Sequence, residues 1–236
     1  MWGYKEYETV ADKKEKAKKA LEKLRKKDPN IAPVVIEGSK IAKSWWGIAW
    51  NKNLESYSDY YNRIDRGRSY VKNGYVLDLK IDSESIVAIV AGSRQKPYKV
   101  NIVIDALSKS KWEKIIKLCG RNIDNIDQLV QGKFPKDLET LFTQQGEGLF
   151  PSPNEINFDC DCPDFAYMCK HVAAVLYAVG ARLDEDPSLF FKLRNIEIEA
   201  LIKKSIEEKM QTMLKSSKNK TNRIIDDANI NDLFGL

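Results

Sequence analysis

Three of the chain's four cysteines and its one histidine lie within the stretch Cys160-Asp161-Cys162-Pro163-Asp164-Phe165-Ala166-Tyr167-Met168-Cys169-Lys170-His171. Soft donors so tightly gathered, and so nearly absent elsewhere, are the sequence sign of a tetrahedral zinc site. Side chains alternate along an extended strand, so Cys160 and Cys162 face one way and can share an ion. Pro163-Asp164 then turns the chain. Cys169 and His171 would diverge if both sat inside a regular helix, which puts Cys169 just ahead of a first helical turn. The six residues between Cys162 and Cys169 suffice for a short return. The expected unit is a two-stranded hairpin followed by a helix, a ββα finger holding Zn2+ by three thiolates and one imidazole. Four protein ligands leave no open coordination position, so the expected role of the ion is structural. Three other readings compete. The clustering speaks against unligated core cysteines. Strain and a reducing compartment speak against a Cys160–Cys162 disulfide. A catalytic thiol paired with His171 lacks an Asn or Asp partner recognisable by spacing.

Cys-x-Cys-x6-Cys-x-His, followed by the apolar run Val172-Ala173-Ala174-Val175-Leu176-Tyr177, resembles the SWIM zinc finger, whose pattern is CxC, a variable gap, then CxH. Upstream, Ser44-Trp45-Trp46-Gly47-Ile48-Ala49-Trp50, Arg66-Gly67-Arg68-Ser69-Tyr70 and Gly92-Ser93-Arg94-Gln95-Lys96-Pro97-Tyr98 resemble segments of bacterial SWIM-finger proteins. Members of that group are often associated with Swi/Snf-type helicase-like ATPases. The finger covers about a seventh of the chain, and the wider resemblance runs from near Ser44 to about Leu201. It implies recognition linked to DNA or to protein, with a helicase-like ATPase or another protein as partner.

The elements that must position these residues follow from composition and pattern. A chain of 236 residues, 43% hydrophobic and 31% charged, can bury a real core in one large or two small domains. No apolar run approaches a spanning helix, and the basic amino-terminal stretch lacks a signal peptide's apolar core. A cytoplasmic protein without membrane contact is expected, consistent with reduced, zinc-binding cysteines. Residues 1–80 carry 18 Lys and Arg against 11 Asp and Glu, whereas residues 153–236 carry 11 against 14. Positive charge is at the front and the metal motif on the acidic side.

Thr9 to Lys27 reads as a solvated helix with a thin apolar stripe (Ala17, Ala20, Leu21, Leu24). Val34-Val35-Ile36 suggests a short strand. Ser44 is placed as N-cap of a helix that buries Trp46, Ala49 and Trp50. From Tyr60 to Gly74 cations interleave with aromatics, and Asn73-Gly74 is a hairpin signal. That signal pairs Ser69–Lys72 with Tyr75–Ile81, and Ser85–Ala91 and Lys99–Ile104 complete an antiparallel four-stranded meander. Ser110-x-x-Glu113 reads as a capping box for a helix ending at Gly120, with Cys119 on its apolar face. Short helices are expected over 124–131 and 135–142. An almost wholly apolar helix, with Arg182 its one exposed-looking cation, runs from about Lys170 to Leu183, followed by helices over 188–193 and from Ile198. The fold class is α+β: the meander packed with helices, then the finger and carboxy-terminal helices. The expected domains are a basic helical arm (1–32), an α+β domain (33–145), the finger with its helical module (146–214), and a linker with an apolar tail (215–236).

Guanidinium groups fork onto phosphate and aromatic rings stack on bases. Arg63, Arg66, Arg68, Tyr70, Lys72, Arg94, Lys96 and Lys99 are therefore the candidate nucleic-acid contacts, DNA ahead of RNA, with Gly67 allowing close backbone approach. The alternative for these positions is half-buried tyrosines and arginines paired with Asp59 or Asp65. The apolar helix after the finger lacks the polar side chains that groove reading needs. Asp159, Asp161 and Asp164 beside a thiolate-rich ion would repel phosphate. Two functions follow: a non-enzymatic, nucleic-acid-associated adaptor working with a helicase-like ATPase, or a protein-interaction subunit with structural zinc and no nucleic-acid contact. An enzyme is not expected, since there is no GxxxxGK[ST] and the one histidine is committed to metal.

Overall fold

The computed structural model describes residues 8–56, 61–121, 143–144, 146 and 148–218. In chain order its elements are α1 (Val10–Arg25), α2 (Trp45–Glu55), α3 (Tyr61–Lys72), β1 (Val76–Asp82), β2 (Ser85–Val90), β3 (Tyr98–Ile104), α4 (Lys109–Arg121), β4 (Ile156–Cys160), α5 (Lys170–Glu185), α6 (Ser188–Leu193) and α7 (Ile198–Lys218). The strands form one antiparallel sheet in the order β1-β2-β3-β4. The α+β class and the four-stranded antiparallel sheet are as the sequence predicts.

Two memberships differ. Ser69–Lys72 is not a strand but the last turn of α3. Ile64, Gly67 and Val71 are buried at helical spacing, and this period outweighs the Asn-Gly signal, which needs alternation on both sides to make a hairpin. Gly74, at φ 72°, instead stops the helix, with Gly74 N–H donating to Val71 O and Tyr75 N–H to Tyr70 O. The fourth strand comes from the metal motif: β4 pairs with β3 from Ile104↔Ile156 to Val100↔Cys160. Residues 161–169 form bends and no second finger strand, so the unit is a strand, a loop and a helix rather than ββα. Its strand finds its partner in the main sheet, where the hydrogen bonds of a short hairpin would otherwise go.

Helix α5 is the axis of the fold. Residues from His171 to Ala181, and Leu183, are buried, as expected of a helix apolar on every side. The sheet, α2 and α3 pack around it. A Cβ on Gly67 would come within 2.5 Å of Ala173, so α3 can cross α5 only because that position is bare. Gly67 therefore serves helix packing and not the backbone approach to nucleic acid that its sequence context suggested. Trp50 donates its indole N–H to Leu176 O at 2.8 Å. Asp184 accepts from Lys43 N–H and from the backbone and hydroxyl of Ser44, which in turn caps α2 by accepting from Gly47 N–H. Arg182 is half-buried and donates to Ala32 O and Pro33 O.

Outside this core, α1 begins with a capping box at Thr9 and Asp12. It lays Ala17, Ala20, Leu21 and Leu24 on Tyr75, Leu77, Ile89 and Ala91, which explains why Val76–Leu79 are buried on both faces. Residues 34–36 form no strand; Val34 N–H donates to Val76 O and the segment runs beside β1. Helix α4 starts earlier than predicted, capped weakly by Ser108, and continues past Gly120 to Arg121. Helix α7 runs to Lys218, so Ser216 belongs to it and not to a linker. Arg194, fully buried at 0% exposure, donates to Asp105 O at 2.7 Å and to Glu155 at 2.8 Å, and Lys111 joins the same carboxylate. Burial alone would raise the Glu155 carboxyl, but hydrogen bonds from Arg194 and Ser152 outweigh it and hold it at about 2. The helices expected at 124–131 and 135–142, Tyr60, and the tail from Ile224 to Leu236 lie outside the described residues. Among the described residues no helix is long and apolar enough to cross a membrane.

Candidate metal centre

Cys160 ends β4, Cys162 follows on the first bend, and Cys169 is the N-cap of α5, its sulfur accepting from Val172 N–H at 3.5 Å. His171 is the second residue of that helix. The sequence thus places Cys169 correctly, just before the first turn. The four donor atoms, three Sγ and one imidazole nitrogen, lie within 4.8 Å of one another. His171 Nδ1 stands 3.9 Å from Cys160 Sγ and 3.8 Å from Cys169 Sγ. A tetrahedron with Zn–S of about 2.3 Å and Zn–N of about 2.0 Å has S···N edges of about 3.6 Å. These two edges come within a few tenths of an ångström of that, and the remaining donors, within 4.8 Å, need to close by no more than about 1 Å to surround one zinc ion. Cys119 is apart from them, at 0% exposure in the core, its thiol pushed up to about 12 by burial.

The electrostatics already favour a cation. Cys169 is drawn down to about 4, first by the Cys160 thiol hydrogen-bonded to it and then by His171 and the Val172 N–H, against the effect of burial. Cys160 is pushed up, chiefly because it holds that shared proton, and Cys162 is pushed up by burial and by the Cys169 charge. Three thiols gathered at a helix N-terminus, one of them already drawn down, are ligands that a divalent ion binds by displacing protons. Cys160, Cys162, Cys169 and His171 would hold it, and a zinc with four protein donors supplies cross-linking, not an open Lewis-acid position.

The imidazole is fixed by rings. Tyr98 of β3 stacks on it at 4.3 Å and 27°, and Tyr70 of α3 meets it edge-on at 5.5 Å. Its other nitrogen, Nε2, is buried and has no hydrogen-bond partner among the described residues. Gly92 lies against it, because a Cβ there would run into the Tyr98 ring and come within 3.0 Å of Nε2. Asp164 in the finger loop accepts from Arg63 at 3.0 Å and from Ala166 N–H, tying the loop to α3. Tyr167 donates to Ile156 O at 3.0 Å. Phe165, by contrast, is 103% exposed at the loop's tip. Tyr98 and Gly92 were missed as part of this centre by residue spacing. Their signal was the Gly92–Tyr98 segment, which shares the wider family resemblance.

The candidate nucleic-acid residues divide. Arg63 is a strut to Asp164. Arg68 pairs with Glu55 at 2.7 Å and Asp65 at 3.2 Å and reaches the Tyr177 hydroxyl. Arg94 lies over the Tyr98 ring at 4.1 Å and donates to Asp161 O and Oδ1. Arg66, Lys72, Lys96 and Lys99 are exposed, and none of their side chains has a hydrogen bond or ion pair among the described residues. Tyr70 is half-buried and packs at 5.0 Å against Tyr75; burial pushes its phenol up to about 12. Around it converge Lys170, whose Nζ is 5.8 Å over the ring, Arg66, and Lys13, Lys16 and Arg94, which line the same cleft.

Residues 157–180 match the SWIM zinc finger, and this segment with its Cys3His cluster is a zinc-binding SWIM finger. The chain is also similar to the uncharacterized protein Rv2102 of Mycobacterium tuberculosis, 38% identical over 163 residues. That match spans 69% of this chain and 58% of the relative, a far longer stretch than the finger. No solved structure matches the chain.

Proposed function

We propose that this protein is a non-enzymatic, cytoplasmic adaptor. A structural zinc holds its fold, a cationic face contacts nucleic acid, and the finger loop meets a protein partner. The observation that carries the reading is the convergence on Tyr70 of Lys13 and Lys16 from α1, Arg66 from α3, Arg94 from the β2–β3 turn and Lys170 from α5. Five cations gather there, with Glu8 and Asp161 among the carboxylates that pair with them. Such a face attracts polyanions through counterion release. DNA is the expected polymer, and resemblance to bacterial SWIM-finger proteins supports a helicase-like ATPase as the partner.

The test is affinity for DNA and RNA of the zinc-loaded chain across a salt series. Affinity should fall steeply with salt, and Arg66→Gln with Lys99→Gln should weaken it for all sequences alike. No salt-dependent binding to either polymer would end the nucleic-acid reading. The alternative, a protein-interaction subunit without nucleic-acid contact, is favoured by one feature: Phe165 and Tyr167 stand 103% and 55% exposed on a loop braced by Asp164. If Phe165→Ala removes partner capture while no nucleic acid binds, that reading takes over.

A further inference from the structure

The fold closes one outer edge of the sheet and, among the described residues, leaves the other open. Beside β1, Val34 N–H donates to Val76 O and Leu79 N–H to Ala32 O, so residues 32–34 cover that edge. On the far side the sheet ends at β4, whose register against β3 is unbroken. Asp105 N–H donates to Glu155 O and Asp161 N–H to Lys99 O, so the odd-numbered residues of β4 turn their N–H and C=O toward β3. Those of Ile156, Phe158 and Cys160 therefore point outward. Ile156 O is answered by the Tyr167 hydroxyl at 3.0 Å. The Phe158 N–H and C=O have no partner among the described residues. Natural edge strands are blunted by lysine, proline or a bulge. Ile156-Asn157-Phe158-Asp159-Cys160 has none of these. The half-buried Phe158 ring lies 5.2 Å from that of Tyr167, and two residues away stands the fully exposed Phe165.

We infer that β4 takes up an extended segment of a partner protein as a further strand of the sheet, one that carries apolar and cationic side chains in alternation. The inference rests on the protein-partner part of the reading above and states that partner's chemistry. Unpaired strand donors and acceptors are answered by another extended backbone. Side chains alternate across an added strand as they do across β4. The residue opposite Phe158 shares its face, where the rings of Phe158 and Tyr167 offer apolar surface. The residues on either side of it turn to the other face, where Asp159 is exposed and has no ion pair among the described residues. A cation there pairs across the strands with Asp159. A second copy of this chain is a poorer occupant: a two-fold axis at Phe158 sets each Asp159 opposite Asn157 and supplies no cation for it.

The experiment titrates the zinc-loaded full chain with a short peptide alternating lysine and valine, with its glutamate–valine counterpart, and with the first peptide N-methylated at either its valines or its lysines. The lysine peptide should bind roughly tenfold more tightly than the glutamate peptide and slow hydrogen exchange at the Phe158 amide. One methylated form should lose about tenfold and the other nothing, the valine form for antiparallel and the lysine form for parallel addition. Asp159→Lys should weaken the lysine peptide and tighten the glutamate peptide at unchanged zinc content and melting temperature. A gain of affinity cannot come from misfolding. Equal effects of the two methylations overturn strand addition. Equal binding of the two charge forms overturns the cationic partner. A Phe158 amide protected before any peptide is added overturns the assignment, giving the edge to a second copy if the chain is dimeric and to its own residues if it is monomeric. If no peptide binds, the edge is overturned, and capture from lysate decides the broader reading: capture lost in Phe165→Ala keeps a protein partner on the loop, whereas no Phe165-dependent capture ends both.

Discussion

The zinc clasp and the cationic face are built from residues that look equally suggestive in sequence, yet the fold treats them differently. The clasp's donors sit within one short stretch, and the structure brings all four to one point. The cations of the face are spread over α1, α3, the β2–β3 turn and the start of α5. Three of their arginines turn to carboxylates far away in the chain: Arg63 to Asp164, Arg68 to Glu55, Arg94 to Asp161. Close spacing fixes geometry locally, whereas a guanidinium's partner is settled by which element packs beside it. A basic, aromatic stretch therefore states a supply of charge and not its use.

The most forceful way to break the comparison is to remove the metal. Because β4 is a strand of the main sheet and α5 its central helix, chelation or Cys162→Ala or His171→Ala should unfold the sheet as well as the finger. Zinc in such sites contributes about 10 to 16 kcal/mol, comparable to or larger than the whole stability of a typical domain, about 5 to 15 kcal/mol. One zinc per chain by elemental analysis, and loss of both near-ultraviolet and far-ultraviolet dichroism on chelation, are expected. A sheet that survives chelation would show that the clasp only decorates it.

The second effect separates stability held by the clasp from stability held by the Arg194–Glu155 node. Glu155→Gln leaves a fully buried guanidinium without its counter-charge and should cost about 3 to 5 kcal/mol in urea unfolding. The carboxyl is held at about 2, below its unfolded value of 4.5. Its contribution is therefore complete above about pH 4.5 and is lost as pH falls toward 2. The gap between wild type and Glu155→Gln should accordingly shrink below pH 4.5. A constant gap down to pH 3 would remove the carboxylate from the account.

These results bear on what the sequence made legible. The four ligands, the cap position of Cys169, the Ser44 cap, the buried tryptophans and the apolar α5 were all readable, because each depends on spacing within a dozen residues. The fourth strand was not: Asn73-Gly74 imitates a hairpin, and only packing against Ala173 reveals why Gly67 and Val71 belong to a helix. Nor was the ring cage of His171, since Tyr70 and the Gly92–Tyr98 segment lie far from it in the chain and from each other. The Gly67 crossing can be tested directly. Gly67→Val inserts a branched side chain against the α5 backbone and should destabilise by about 1 to 3 kcal/mol, while Gly74→Ala, with nothing within 4 Å of its Cβ, should cost less and only through its φ of 72°. Equal losses at the two positions would place α3 elsewhere.

The finest test contrasts two arginines three residues apart on α3. Arg63 is half-buried and bonded to Asp164, and Arg66 is exposed without such a partner among the described residues. If the first is a strut and the second a contact, Arg63→Gln should cost about 1 kcal/mol of stability or less and leave the salt slope of oligonucleotide binding unchanged. Arg66→Gln should do the reverse: no change in melting, and a slope reduced by about 0.7 for a single strand. Asp164→Asn should reproduce the Arg63 loss, and the double variant should add little to either, since both remove one interaction. Should Arg63→Gln flatten the slope as much as Arg66→Gln, Arg63 must leave Asp164 when nucleic acid arrives. The finger loop would then be released by binding, and the clasp and the face would be one coupled site.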